Sequence, residues 1–343
     1  MNMGIRLNIF ISIFCVMFWG YGLSGYWETK AFASNNEMEN TTDLYSVCMV
    51  SDNVGWTVGA RGTIYVTYDG GQFWRRQDIA YRLPLFSVSF VDEKVGWITG
   101  KSGTIFHTSD GGNTWNSQSS PKKKHLFKVK AVSREKCWAA GDWGTILYTE
   151  DGGETWVDRT YSDDVIFYDI DFIGEDSGWI AGEFGTVLHT SDGGLTWKKQ
   201  PTGIQETLFS ISFTSKDVGI AAGLDGVILK TSDGGATWSK IRPLNDGRSD
   251  KMRSIYEIKL EGDLALAAGD AGRILGSKDA GDTWFEIELP LEMELFWLRG
   301  VSLLGQKGVI VGARSFVIIT CTGSITSLGF LPQIEKPKDV GVN

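Results

Sequence analysis

Thr108-Ser109-Asp110-Gly111-Gly112-Asn113-Thr114-Trp115 is the stretch that decides the fold. The same phrase returns at Thr190–Trp197 and Thr231–Trp238, and in altered form at Thr67–Trp74, Thr149–Trp156 and Ser277–Trp284. Asp69, Asp110, Asp151, Asp192 and Asp233 follow one another in steps of 41 residues, and Asp279 comes 46 residues after Asp233. A fixed period of this size marks a repeat array. Asp followed by two Gly is turn chemistry: the carboxylate accepts nearby backbone N–H groups, and Gly takes positive φ without a Cβ clash. The Trp after the turn is too large to leave in water, since burying one removes roughly 150–250 Å². The phrase therefore reads as a hairpin staple, with Asp69, Asp110, Asp151, Asp192, Asp233 and Asp279 and the paired Trp74, Trp115, Trp156, Trp197, Trp238 and Trp284 in structural roles. One recurring carboxylate per copy is too few for a calcium site, which takes about 6–8 oxygens, so no metal is expected.

The rest of the unit is read from its second copy. Leu85–Phe90 and Gly96–Gly100 alternate as strands, Lys101-Ser102-Gly103 turns the chain, Thr104–Thr108 is a third strand, and Trp115–Gln118 starts a fourth. Short runs rich in β-branched and aromatic residues, bounded by Gly and Asp, are strands. Four of them in about 41 residues make one propeller blade. Copies starting at Leu44, Leu85, Leu126, Ile166, Leu208, Ile255 and Leu295 predict an all-β, seven-bladed β-propeller of four-stranded blades over residues 44–330. The seventh blade is degenerate, with Thr320-Cys321-Thr322-Gly323 in place of the Asp-Gly-Gly turn.

Outside the array, residues 1–33 read as a signal peptide: Arg6, an apolar run from Ile9 to Trp19, and Ala31-Phe32-Ala33 as a cleavage site. An uncleaved anchor through residues 7–27 is the alternative. Residues 34–43 form a short N-terminal segment and 331–343 an irregular tail. Export to the periplasm or the cell envelope follows from either reading. After removal of the leader, Cys48, Cys137 and Cys321 are an odd set with no metal-ligand spacing. The net charge of −9 argues against general nucleic-acid binding.

The Gly-x-x-Gly turns and the blade-to-blade links share one face, called the top. Its turns carry Arg61, Lys101, Asp142, Glu183, Asp225, Asp270 and Arg314; the links add Arg75, Arg76, Arg82 and Lys122-Lys123-Lys124-His125, then Asp163, Asp164, Glu206, Glu288, Glu292 and Glu294. The top is thus basic on blades 7, 1 and 2 and acidic on blades 3–6. Trp143 and Phe184 stand in adjacent top turns, and aromatics beside charges compose an interaction patch. The longest link, Ser239–Ser254, carries Arg242, Arg248 and Arg253.

The repeated Asp phrase resembles the Asp-box of neuraminidase-type repeats, and Tyr81-Arg82-Leu83-Pro84 resembles the Arg-containing motif of sialidases. There the motif precedes the first box; here it follows it. The even spacing leaves little insertion for the groups that glycoside chemistry needs at defined separations. A cell-surface glycan-binding or sialidase-like propeller is the alternative reading. His107 and His189 share a repeat column with Val66, Tyr148 and Lys230, which is a strand-surface column, not a catalytic one.

The whole unit, best seen over Leu85–Trp115, resembles the photosystem II stability/assembly factor family of phototrophs. That resemblance implies a lumenal, non-enzymatic, cofactor-free monomer that binds a membrane or envelope protein, a reaction-centre subunit in a phototroph. It implies an Arg-rich patch on the top, for which Arg61, Arg82, Arg299 and Arg314 are the candidates by position, with Lys101, Trp143 and Phe184 beside them.

Overall fold

The computed structural model describes residues 28–29, 42–241, 253–287, 289, 296–320 and 328–330 of the chain. Blade 1 runs through strands Leu44–Met49, Gly55–Gly59, Ile64–Thr67 and Arg75–Gln77, each antiparallel to the one before it. Blades 2 to 6 repeat this order, with inner strands Leu85–Phe90, Leu126–Ala131, Phe167–Ile173, Leu208–Phe213 and Ile255–Glu261. The second strand of every blade is buried along almost its whole length. It lies in mid-sheet between two neighbouring blades, so both of its faces meet protein. This explains why Gly-Trp-x-x-Gly reads as a continuous apolar run and not as an alternation.

Six four-stranded blades are formed, where the sequence predicts seven. The seventh sheet is built differently. Its strands Leu298–Leu304, Lys307–Gly312 and Ser315–Thr320 follow the blade order, but its outer edge has two short occupants. Leu328–Phe330 pairs with residues 315–317, and Glu28–Thr29 pairs with residues 319–320. Thr320-Cys321-Thr322-Gly323 stands where the other copies have the Asp turn, and Leu328–Phe330 covers only residues 315–317 of the third strand, which leaves residues 319–320 to Glu28–Thr29. Two copy boundaries also move. The fourth inner strand starts at Phe167, not Ile166, and the seventh at Leu298, not Leu295. Most of the expected leader (1–33), the anchor segment 7–27, the segment 34–41, Leu295, Cys321, Glu288, Glu292, Glu294, Arg242, Arg248 and the tail 331–343 lie outside the described residues. Among the described residues, no helix is long and apolar enough to cross a membrane.

The inner strands turn one edge to the central channel, so their N–H groups lack strand partners there. Side chains of the preceding blade supply the acceptors. The Val88 N–H donates to Ser46 Oγ at 3.3 Å, Val129 to Ser87 at 3.2 Å, Ile211 to Asp169 Oδ2 at 3.0 Å and Ile258 to Ser210 at 3.1 Å. The ring closes the same way: the Met49 N–H donates to Ser302 Oγ at 3.0 Å. Each such bond contributes about 0.5–1.5 kcal/mol net, and an unmet buried N–H would cost about 1–3 kcal/mol.

Candidate partner-binding face

Every top turn holds its third residue in the left-handed region: Arg61, Ser102, Trp143, Phe184, Asp225, Ala271 and Arg314 have φ between 52° and 59°. None is glycine, and a non-glycine residue pays roughly 1–2 kcal/mol there. The next position is glycine in six of these turns because the following link runs across it; a Cβ on Gly62 would land on the Tyr81 carbonyl oxygen. The left-handed residue is thus pushed outward. Trp143 is 57% exposed and Phe184 60%. Lys124 of the basic link stands over the Trp143 ring, Nζ 4.2 Å from its centroid. Arg61, Arg314 and Lys101 are exposed on the same face. Arg82 is exposed but committed to its own loop: Nη1 donates to the Ile79 and Tyr81 carbonyls at 3.1 and 2.9 Å.

The mouth of the channel is a feature the sequence reading missed. Each inner strand carries a β-bulge after its first residue, at Leu44/Ser46, Leu85/Ser87, Leu126/Lys128, Phe167/Asp169, Leu208/Ser210, Ile255/Glu257 and Leu298/Gly300. A bulge inserts an unpaired residue and re-aims its side chain. The bulge residues are Tyr45, Phe86, Phe127, Tyr168, Phe209, Tyr256 and Arg299, and they meet side by side around the mouth. Neighbouring ring centroids lie 6.2, 5.3, 5.6, 5.2 and 5.7 Å apart from Tyr45 to Tyr256. Arg299 closes the circle, 5.9 Å from the Tyr256 ring and 5.8 Å from that of Tyr45. These side chains, with Trp297 above and Ser46, Lys128 and Glu257 below, line a cavity of about 210 Å³. Of the expected basic patch, Arg299 is therefore a mouth residue, apart from Arg61 and Arg314 on the turns. The usable signal was the aromatic second position of six copies. It was hidden because period-2 reading has no place for an extra residue.

Below the mouth the channel holds charge. Lys128 Nζ is 2.7 Å from Glu257 Oε1 and 3.2 Å from Asp169 Oδ1; Lys130 is 2.7 Å from Asp171, and Lys259 2.7 Å from Glu257. Burial would raise the Asp169 pKa, but Lys128, Lys259, Ser210 and the Ile211 N–H together hold it below the usual carboxylate range. Burial would lower that of Lys259, but Glu257, Asp169 and Asp171 raise it. Three lysines and three carboxylates thus neutralise one another. In the sequence they replace serines of the Ser-x-Ser alternation seen in Ser87-Val88-Ser89. At the rim, burial and a 2.6 Å bond to Asp270 push the Tyr256 hydroxyl up to about 12.

On the opposite face the Asp-Gly-Gly turns are uniform. In blade 4 the Thr190 hydroxyl donates to Asp192 Oδ1 at 2.7 Å and accepts the Gly194 N–H at 2.9 Å; the Thr196 N–H and hydroxyl donate to the two carboxylate oxygens at 2.9 and 2.6 Å. These bonds, those from the Thr196 side chain first, bring the Asp192 carboxyl down to about 2. The turn also ties blades together. Trp179 Nε1 and Gln200 Nε2 both donate to the Gly234 carbonyl of the next blade, at 2.9 and 2.8 Å. Among the described residues, no group of His, Cys, Asp and Glu is arranged to hold a metal ion. Cys48 and Cys137 are free thiols.

The chain matches the family described as photosynthesis system II assembly factor YCF48 in overlapping windows, residues 26–124, 113–205, 157–246 and 196–295. No curated protein matches it. Among solved structures it is similar to one described as YCF48 bound to D1 peptide, at 20% identity over 86% of this chain and 98% of that one, with a TM-score of 0.68. YCF48 from Cyanidioschyzon merolae gives 20% identity, the same coverages and a TM-score of 0.67. The GH74 xyloglucanase from Xanthomonas campestris gives 11% identity and a TM-score of 0.69 over 89% of this chain but only 55% of the enzyme. At such identities the likenesses concern the fold alone; it is the family match across the repeats that places the chain in the photosystem II assembly factor YCF48 family.

Proposed function

We propose that this chain is a non-enzymatic assembly factor that binds a peptide segment of a photosystem II reaction-centre protein on its top face. The carrying observation is the row of left-handed, non-glycine top turns that hold Trp143 and Phe184 exposed on blades 3 and 4 and Arg61 and Arg314 exposed on blade 1 and the seventh sheet of the same face. Strain of this kind persists where the surrounding structure over-determines it and gathers at functional sites. A relative's structure holds a D1 peptide, which makes D1 the first partner to test. Basic turns on blades 7 and 1 and acidic turns on blades 4 to 6 would orient such a segment more than hold it.

Two observations support the absence of chemistry. The channel carboxylates Asp169, Asp171 and Glu257 are each paired with lysine, and Arg82 is tied to backbone carbonyls. The protein would act as a monomer, exported by its leader or held by residues 7–27 at the membrane. The seventh sheet would serve as the closing blade of a seven-membered ring. Cleavage after Ala33 would remove the Glu28–Thr29 strand from it, so N-terminal sequencing of the native protein also reports how the ring is sealed.

The test is titration of the full chain with overlapping peptides covering D1. At least one should bind, and the Arg61→Glu, Arg314→Glu double variant should weaken it at low salt. Unchanged affinity in that variant would remove the basic turns from the site. Failure of every peptide, together with recovery of a different membrane protein by affinity capture, would replace D1 as the partner.

A further inference from the structure

The cavity at the channel mouth has a definite chemistry. Its wall is six aromatic side chains delivered by six successive bulges, and its seventh member is a guanidinium. At about 210 Å³ it is smaller than the roughly 300–1,000 Å³ of pockets for drug-sized ligands. It suits one side chain and not a sugar chain. Of the three charged residues lining it, Lys128 and Glu257 pair with each other at 2.7 Å. Arg299 lies between the Tyr45 and Tyr256 faces and, among the described residues, has no carboxylate partner. The carboxylates nearest the ring already accept other hydrogens: Asp270 that of the Tyr256 hydroxyl, Glu183 the Ile166 N–H and Asp142 the His125 N–H.

We propose that the mouth is a socket for one apolar side chain of a bound segment, with Arg299 holding a carboxylate on the same or the adjoining residue. The proposal rests on the protein-binding reading above and names the group that the site takes. The apolar group leaves water for the aromatic wall, and the carboxylate receives charge-assisted N–H donors from a guanidinium already fixed by two rings. The surrounding turns then meet the rest of the segment.

The experiment titrates the full chain with 3-phenylpropionate, its neutral amide and propionate, followed by NMR shifts. Phenylpropionate should saturate. The amide should bind about tenfold more weakly, the factor of one charge-assisted hydrogen bond, and propionate should not bind measurably. Arg299→Gln, a change at an exposed side chain, should bring phenylpropionate down to the level of the amide, and Lys216→Gln, at an exposed residue between strands Leu208–Phe213 and Gly219–Gly223, should leave it alone. Equal binding of acid and amide, no effect of Arg299→Gln, or no saturable binding of phenylpropionate would each overturn the socket. A D1 peptide bound equally by wild type and Arg299→Gln would sink the socket and keep the peptide site. Phenylpropionate binding that needs Arg299, in a protein that retains no protein partner, would keep the socket and sink the peptide reading.

Discussion

The two ends of a blade use similar turns to opposite effect. On the underside, five turns repeat the Asp-Gly-Gly phrase and a sixth reads Asp279-Ala280-Gly281, all with nearly the same hydrogen bonds, and the preceding blade donates to the Gly111, Gly152 and Gly234 carbonyls. On top, the matching column reads Arg61, Ser102, Trp143, Phe184, Asp225, Ala271 and Arg314. Both ends need positive φ. The underside meets the need with glycine at all but Ala280, and at the second glycine a neighbour occupies the space where a Cβ would go: at Gly112 it is the Gln77 amide. The top leaves the side chain room to point outward, so each copy can carry a different residue. Uniformity marks where blades hold one another, and diversity marks where the side chains face solvent.

Two tryptophans, one at each end of the contrast, test it most directly. Trp179 is fully buried, stacks on Phe213 with centroids 3.6 Å apart, and reaches Gly234 of the next blade. Trp179→Ala should lower the unfolding free energy by about 3–5 kcal/mol, read from urea denaturation. Trp143→Ala should stay within about 0.5 kcal/mol of wild type; losses of similar size would erase the distinction between the ends.

The channel charges give the next effect. Asp169→Ala leaves Lys128 with one fewer partner and the Ile211 N–H without an acceptor. A loss of about 3 kcal/mol is expected, against almost none for Asp225→Ala on an exposed top turn.

Acid should act on the underside and the channel together. Asp151, Asp192 and Asp233 titrate near 2 in the folded chain, below the ordinary value of 3.8, through their Thr partners. Asp169 is also depressed, by Lys128 and Lys259 against its burial. A folded pKa below the unfolded one stabilises the fold above the unfolded value, and the gain is lost as pH falls through the folded value. Stability should therefore hold down to about pH 4 and drop between about pH 4 and pH 2. A thermal melt series that instead fell most steeply between pH 7 and 5 would point to other groups.

The smallest effect on stability belongs to the top turns. The double variant Trp143→Gly, Phe184→Gly relieves two strained backbones while freeing the unfolded chain, and should shift stability by no more than about 1 kcal/mol. Partner binding should nevertheless fall. A double variant that unfolds would make these aromatics part of the core.

Much of this was legible beforehand. The period of 41 residues and the turn chemistry of Asp110-Gly111-Gly112 carry the blade, and Trp143 and Phe184 stand out against the small or charged residues of their column. The channel was not legible. Phe86 and Phe127 look like ordinary strand residues until a bulge turns them to the mouth, and Leu295-Phe296 matches the copy pattern better than Leu298-Arg299, although Leu298-Arg299 is the pair in register. Lys128, Asp169 and Glu257 lie in three different copies, and only the ring brings Lys128 within 3.2 Å of both carboxylates.

The sequence by itself determined the repeat, the strand order within a blade and the turns that need positive φ, because all of these are set by residues within one period of each other. Only the tertiary structure decided that six blades are complete, that the seventh sheet draws on both Glu28–Thr29 and Leu328–Phe330, and that the bulge residues form one circle. Those features depend on contacts between copies, on how a curved array closes and which edge is left without a partner, and no local pattern of residues carries that information.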